Sequence, residues 1–382
     1  MNLRLVPVVV LLALAPVALL PLDRRAEAAG PVPRALDTVP IASLPFEINE
    51  PGTYCVVGDL TGVSGEHGIH VQANGVTIDL CSHELVGVPG SLDAISASSG
   101  LGCTVENGRI RSWSGNGIVC GPFADVSDVE IASTGGYGLV VGGSSTVTDV
   151  RVISSGAQSL LAADRSWIRD CHFSAGSSRE PVVLLGEFVL LESTHVHFGT
   201  IGIRAVGSCR IVDCVVADMQ EEGIQGGADI EVVRCEVSDC QGTGIHLGAD
   251  GVVAECDVTD VGAAAIRCGD GAELRGTHVA RCGSGVFVES SSTVDRCTIR
   301  EIDGACLAVA GENNVVTGNT LERGGSGLTV SAPHNRVTGN TSVDNVGADY
   351  AIVPFNVVGP IWKGFGELNS TNPYLNFATP TL

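Results

Sequence analysis

The residues best equipped for chemistry in this chain recur at a fixed spacing. Arg204, Gln225, His246 and Arg267 follow one another at steps of 21 residues, each directly after the isoleucine of a Gly-Ile or Ala-Ile pair. A guanidinium grips a carboxylate with two parallel hydrogen bonds, and an imidazole exchanges its proton near neutral pH. The chain carries 43 acidic against 21 basic Lys and Arg residues, a net charge of -22, so a local cationic and hydrogen-bonding strip stands out. Such a strip suits an acidic sugar chain, with the arginines on its carboxylates and His246 as acid or base. The plainer reading is a solvated polar face, bounded by Val140, Phe287 and Ala308 at the same position of other repeats.

Two further sets are spaced for metal. Asp218, Asp239 and Asp260 also recur every 21 residues. Like charges stacked so closely repel unless a cation neutralises them, which makes calcium the cofactor to consider. The competing reading has three turn aspartates holding local backbone amides. His172, His195 and His197 share a face and would suit zinc or copper, without a visible fourth ligand. Asp213, Arg234 and Glu255 alternate in sign, as do Arg210 and Glu231, and are expected to pair between neighbouring strands. Trp113 and Trp167 either stack on sugar rings or pack at the edges of repeats.

The elements that position these residues follow from the repetition. Between Ile203 and Leu328 the small-apolar pairs step by 21, 21, 21, 20, 21 and 21 residues. Two further apolar segments follow each pair, at Ile211-Val212 and Val216 in one repeat and Val232-Val233 and Val237 in the next. Three short β-branched segments per period, separated by Gly, Asp, Asn and Ser, predict three strands and three turns. Stacking each strand on its counterpart one period later gives an all-β right-handed parallel β-helix with three parallel sheets, about 14 coils long. A leucine-rich repeat has a similar period, but its LxxLxLxxN spacing and any helical periodicity are absent. The expected organisation is a leader over residues 1–29, an N-terminal segment and cap over 30–60, the solenoid over 61–353 and a C-terminal cap over 354–382.

The cysteines support this register. Cys171, Cys214, Cys235, Cys256 and Cys297 share one coil position, with Thr194 and Thr277 in the gaps and Asn319 and Asn340 continuing the column. Side chains stacked in parallel do not aim at one another, so most of the 14 cysteines are expected to be reduced core thiols, with Cys55 and Cys81 the pair to test for a bond. Composition narrows the partners. Lys363 is the only lysine, so a nucleic-acid surface is not expected. Arg4, the apolar run Leu5 to Leu22 and Ala26-Glu27-Ala28 read as a secretory leader, leaving no membrane span in the mature chain.

The segments Leu44-Pro45-Phe46-Glu47-Ile48, Pro51-Gly52-Thr53-Tyr54, Val76-Thr77-Ile78-Asp79-Leu80, Gly108-Arg109-Ile110-Arg111-Ser112-Trp113 and Val358-Gly359-Pro360-Ile361 resemble secreted bacterial right-handed parallel β-helix proteins of the pectate-lyase-like superfamily. The resemblance spans residues 41–362 and implies the fold. Its activities include pectate lyases, polygalacturonases and alginate epimerases, whose catalytic signatures are missing here. The expectation is therefore a secreted, noncatalytic binding or scaffold module for extracellular polysaccharide or cell-envelope material. The alternative is a lyase, hydrolase or epimerase acting on acidic glycans through the Arg204 to Arg267 strip. The two are told apart by an acid–base pair and by loop walls beside the strip, and repeats of 20 or 21 residues leave little room for walls.

Overall fold

The computed structural model describes residues 38–175, 180–363, 372 and 374–379. The expected leader lies outside them. No helix among the described residues is long and apolar enough to cross a membrane.

Most coils are built from three short strands that pair in parallel with their counterparts one coil later, and in places two of them run on as one, as in Thr298–Val309. The first sheet contains Ile69–Val71, Ile118–Cys120, Ile224–Gly226, Ile245–Leu247 and Ala264–Cys268, among others. The second contains Arg210–Val212, Glu231–Val233 and Val252–Ala254, and the third Val215–Met219, Glu236–Ser238 and Asp257–Thr259. Side chains alternate in and out, so the inward residues of each strand, one or two apolar side chains, line a single core running along the stack. Ile203, Ile224, Ile245 and Ile266 on the first sheet are fully buried, as are Val232 and Val253 on the second and Val237 and Val258 on the third.

The coil turns between sheets through single residues of positive φ. Asp213, Arg234 and Glu255 do so between the second and third sheets, and Asp218, Asp239 and Asp260 after the third. One left-handed residue redirects the strand without a loop, which keeps the repeat short. Of the residues expected to pair between strands, Arg234 donates from Nε to Asp213 Oδ1 at 2.7 Å and Arg210 Nε lies 3.0 Å from Glu231 Oε2.

The stack holds about 15 turns, one more than expected. The difference lies at the start. Val39–Ile41 pairs with Gly52–Val56, and Phe46–Ile48 pairs with Ile69–Val71, so residues assigned to a cap already form part of the ladder. The apolar alternation there is interrupted by Pro40, Pro45 and Pro51, which hides the repeat without preventing parallel pairing at the sheet end.

Cys55 and Cys81 are disulfide-bonded, with α-carbons 6.2 Å apart. The other twelve cysteines are free and buried. The column from Cys171 to Asn340 is buried, and most of its members share one hydrogen bond. Cys171, Thr194, Cys214, Cys235, Cys256 and Thr277 each donate to the carbonyl two residues earlier, Thr194 at 2.9 Å and Cys214 at 3.2 Å. Asn340 does the same to Thr338 at 3.2 Å. Thiol, hydroxyl and amide thus add a second donor to a carbonyl that already accepts a backbone N–H from the preceding coil, as Val212 O does from Ser193.

Candidate functional site

The first sheet sets the predicted strip in register. Arg204 pairs with Gln225, Gln225 with His246, His246 with Arg267, and Arg267 with Phe287. Because each preceding isoleucine is buried, each of these side chains projects outward. Arg204 Nε donates to Gln225 Oε1 at 2.6 Å. The Arg267 guanidinium lies 5.1 Å above the ring centre of Phe287, so the residue read as an apolar boundary is a platform for the arginine.

One residue of this site went unread. Glu222 Oε1 lies 2.9 Å from His246 Nδ1, with the Glu222 side chain 20% and the His246 side chain 39% exposed. Glu222 Oε2 is buried and accepts no hydrogen bond from the described residues. A proton on Nδ1 donated to this carboxylate leaves Nε2 as the lone-pair nitrogen of His246, the arrangement of a general base. Glu222 occupies the corner position two residues before the inward isoleucine, where the next coils have Thr243 and Ala264. A carboxylate at a position of small residues was the available signal. It does not fall on the outward column, so a column-by-column reading passes over it.

A second polar cluster occupies the N-terminal end of the same sheet face. His70 Nδ1 lies 3.0 Å from Glu47 Oε2, and the His67 and His70 rings stack with centres 5.4 Å apart. The Asp93 amide donates to His67 Nδ1 at 3.2 Å, while Asp93 Oδ1 accepts from Asn116 Nδ2 at 2.8 Å. Glu47, His70 and Ser96 share the outward column of the strip. The steps here are longer, 26 residues from Ile69 to Ile95 and 23 to Ile118, and the extra residues fall at the corners. A groove of about 530 Å³ lined by Gly87, Pro89, Ser112, Ser114, Thr134 and Gly135 lies at these corners, away from the Arg204 to Arg267 strip.

The aspartates considered for calcium, or for turns, lie at one corner of successive coils. Asp218, Asp239 and Asp260 are the left-handed corner residues themselves, and Arg281 takes the Asp260 carboxylate through Nε at 2.8 Å and Nη2 at 2.6 Å. The hydrogen bond from Arg281 holds the Asp260 carboxyl below its usual pKa. Asp218 Oδ2 lies 4.0 Å from His197 Nδ1. Among the described residues no group of three or more His, Cys, Asp or Glu side chains is disposed to hold a metal ion. The same holds for His172, His195 and His197. Their rings stack within 14° to 26° of parallel, so the nitrogens run side by side instead of converging.

The tryptophans divide. Trp113 is buried, with Nε1 donating to Leu85 O at 3.1 Å. Trp167 is exposed on the second sheet with the Arg169 guanidinium 5.2 Å from its ring centre.

Comparison with known proteins agrees with this architecture. Residues 224–353 match the family described as right handed beta helix region. That match covers the coils that carry Gln225, His246 and Arg267. No curated protein matches the chain. Among solved structures, this β-helix is similar to the mannuronan C-5 epimerase AlgE4 A-module of Azotobacter vinelandii, at 12% identity over 85% of this chain and 90% of that one, TM-score 0.35. It is also similar to the periplasmic alginate epimerase AlgG, at 10% identity over 84% and 79%, TM-score 0.43. A mannuronic acid specific polysaccharide family 6 lyase from human gut microbiota aligns at 13% identity over 90% and 85%, TM-score 0.39.

Proposed function

We propose that this right-handed β-helix binds an extended acidic polysaccharide along the outward column of its first sheet. The observation that carries the reading is the set formed by Arg204, Gln225, His246 and Arg267 with the buried, unpartnered Oε2 of Glu222. Two guanidiniums three coils apart match carboxylates repeating along a polymer. The open, strand-built face suits a long chain better than a small molecule. An exported setting belongs to the proposal and is supported by the Cys55–Cys81 bond, since such bonds persist in oxidising compartments.

The Glu222–His246 pair favours a second reading, acid–base chemistry on the bound glycan. A purely noncatalytic face was expected to lack such a pair. Lyase and epimerase reactions need a base that removes a proton beside a carboxylate whose charge is stabilised, and His246 with Arg267 on the next coil would supply both.

The test uses the chain with its disulfide intact and a panel of acidic and neutral polysaccharides, with affinity measured by calorimetry and products by mass spectrometry. Arg267→Ala removes a charge-assisted contact worth about 1.5–3 kcal/mol, so affinity for acidic polymers is expected to fall about tenfold or more. Equal binding of acidic and neutral polymers, unchanged in Arg204→Ala and Arg267→Ala, would refute the proposal. Unsaturated, hydrolysed or epimerised products that disappear in His246→Gln would establish the catalytic reading.

A further inference from the structure

His172, His195 and His197 lie on the third sheet, apart from the first-sheet strip. Arg151, His172 and His195 follow one another in one outward column, paired Arg151 to His172 and His172 to His195. His197 stands two residues beyond His195 on the same face. The three rings form a closed set, with centres 6.4 Å apart for His172 and His195, 5.5 Å for His172 and His197, and 6.1 Å for His195 and His197. Below them the column turns neutral with Val215 and Ala217.

We propose that Arg151, His172, His195 and His197 form a proton-gated binding site for a multivalent oxyanion, such as a run of phosphate or sulfate groups. The charges around the site set its behaviour. Arg151 faces His172 from the preceding strand, with Glu130 beyond it in the same register. Asp218 faces His197 from the following strand at 4.0 Å, and Asp170, at the corner before His172, is engaged by Arg169 at 3.6 Å. Burial, then Arg151 and the neighbouring imidazoles, holds His172 below its usual pKa of 6.5. Burial and then His195 lower His197, with Asp218 pulling the other way.

The sign follows. Near neutral pH the lowered His172 and His197 imidazoles are uncharged, and the strongly acidic chain repels a polyanion. As pH falls below 6.5, protonation of His172 and His197 adds positive charge beside Arg151. In the free protein this costs stability, since groups whose pKa is depressed in the fold stabilise it above the unfolded value and lose that contribution as pH falls through the folded one. An oxyanion spanning the rings offsets the repulsion, raises their proton affinity and is taken up together with protons.

The experiment titrates the full chain with inorganic triphosphate by calorimetry in buffers of different ionisation enthalpy, at about pH 5 and about pH 8. Affinity is expected to be at least about tenfold higher at the acid pH, with net proton uptake, and inorganic monophosphate to bind much more weakly. His195→Gln, at an exposed position, and His197→Gln, at a half-buried one, should each lower the acid affinity and the proton uptake, while His334→Gln, exposed and far along the chain, leaves both unchanged. Binding that does not change with pH, absence of binding at the acid pH, or equal loss in His334→Gln or in His246→Gln would overturn the proposal. Equal loss in His246→Gln would place the anion on the first-sheet strip, so the two sites fail separately.

Discussion

Asparagine, threonine and cysteine are interchangeable at one column of this molecule because each has a donor short enough to reach the carbonyl before a left-handed corner. Asparagine does more than the other two. Asn340 Oδ1 accepts from the Asn319 amide at 2.9 Å and from Asn319 Nδ2 at 2.9 Å, while its own Nδ2 donates to Val316 O at 3.0 Å. Asn340→Ala takes the Oδ1 acceptor from the buried Asn319 amide and from Asn319 Nδ2 and removes a donor to Val316 O, and each buried group left unpaired costs about 1–3 kcal/mol. A loss of about 3 kcal/mol or more is therefore expected from the urea midpoint at unchanged slope. Asn340→Cys, the solution used four coils earlier at Cys256, should recover part of it. A loss below about 0.5 kcal/mol for Asn340→Ala would show that the ladder carries little of the stability.

At the scale of the element, the Gly-Ile pair that marks each repeat has a steric cause. A β-carbon at Gly223 would stand 2.6 Å from Gly244 O and 2.6 Å from Val237 Cγ1. Gly244 meets Ala265 O and Val258 Cγ1 in the same way, at 2.6 and 2.8 Å. The corner brings the backbone of one coil against the next, so the residue before the inward isoleucine stays small. Gly223→Leu is expected to cost about 1–3 kcal/mol by overpacking. It should also weaken glycan binding beyond that, because Gly223 joins Glu222 to the strand carrying Gln225. Gly223→Ala should fall between, given that Ala265 fills the same position two coils on. A thermal midpoint and a glycan affinity both unchanged in Gly223→Leu would contradict this account.

For the whole molecule, stability is close to a sum over coils and their interfaces, so a local loss stays local. Cys55–Cys81 ties the first coils through a loop of 26 residues, and such a loop is worth roughly 3 kcal/mol in the chain-entropy account. Reduction is expected to raise amide exchange in residues 39–80 while leaving the central coils protected. Exchange spread evenly along the chain would show instead that the solenoid opens as one unit. The remaining thiols are shielded. Burial pushes Cys171, Cys240 and Cys268 up to about 12, so an alkylating reagent should label none of them until the chain unfolds.

Much of this protein was legible from spacing alone. A period of 20 or 21 residues with β-branched segments admits few packings, and it assigned the inward isoleucines, the cysteine and asparagine column and the outward strip before any coordinates. Periodicity carries this much because a stacked coil turns a sequence offset into a fixed displacement in space. Contacts that leave their own column were not legible. Glu222 reaches His246 from a corner on the preceding coil, Arg281 takes the carboxylate of Asp260, and the three histidines turn their faces to one another instead of converging their nitrogens. Each depends on corner backbone angles and side-chain rotamers, which a repeat count does not contain. The first coil was hidden for a related reason, since prolines break the apolar pattern there while parallel pairing with the next coil still forms. Sequence determined the solenoid and the columns along it, and only the tertiary structure decided which charges meet between columns, because the corner backbone sets where each side chain can reach.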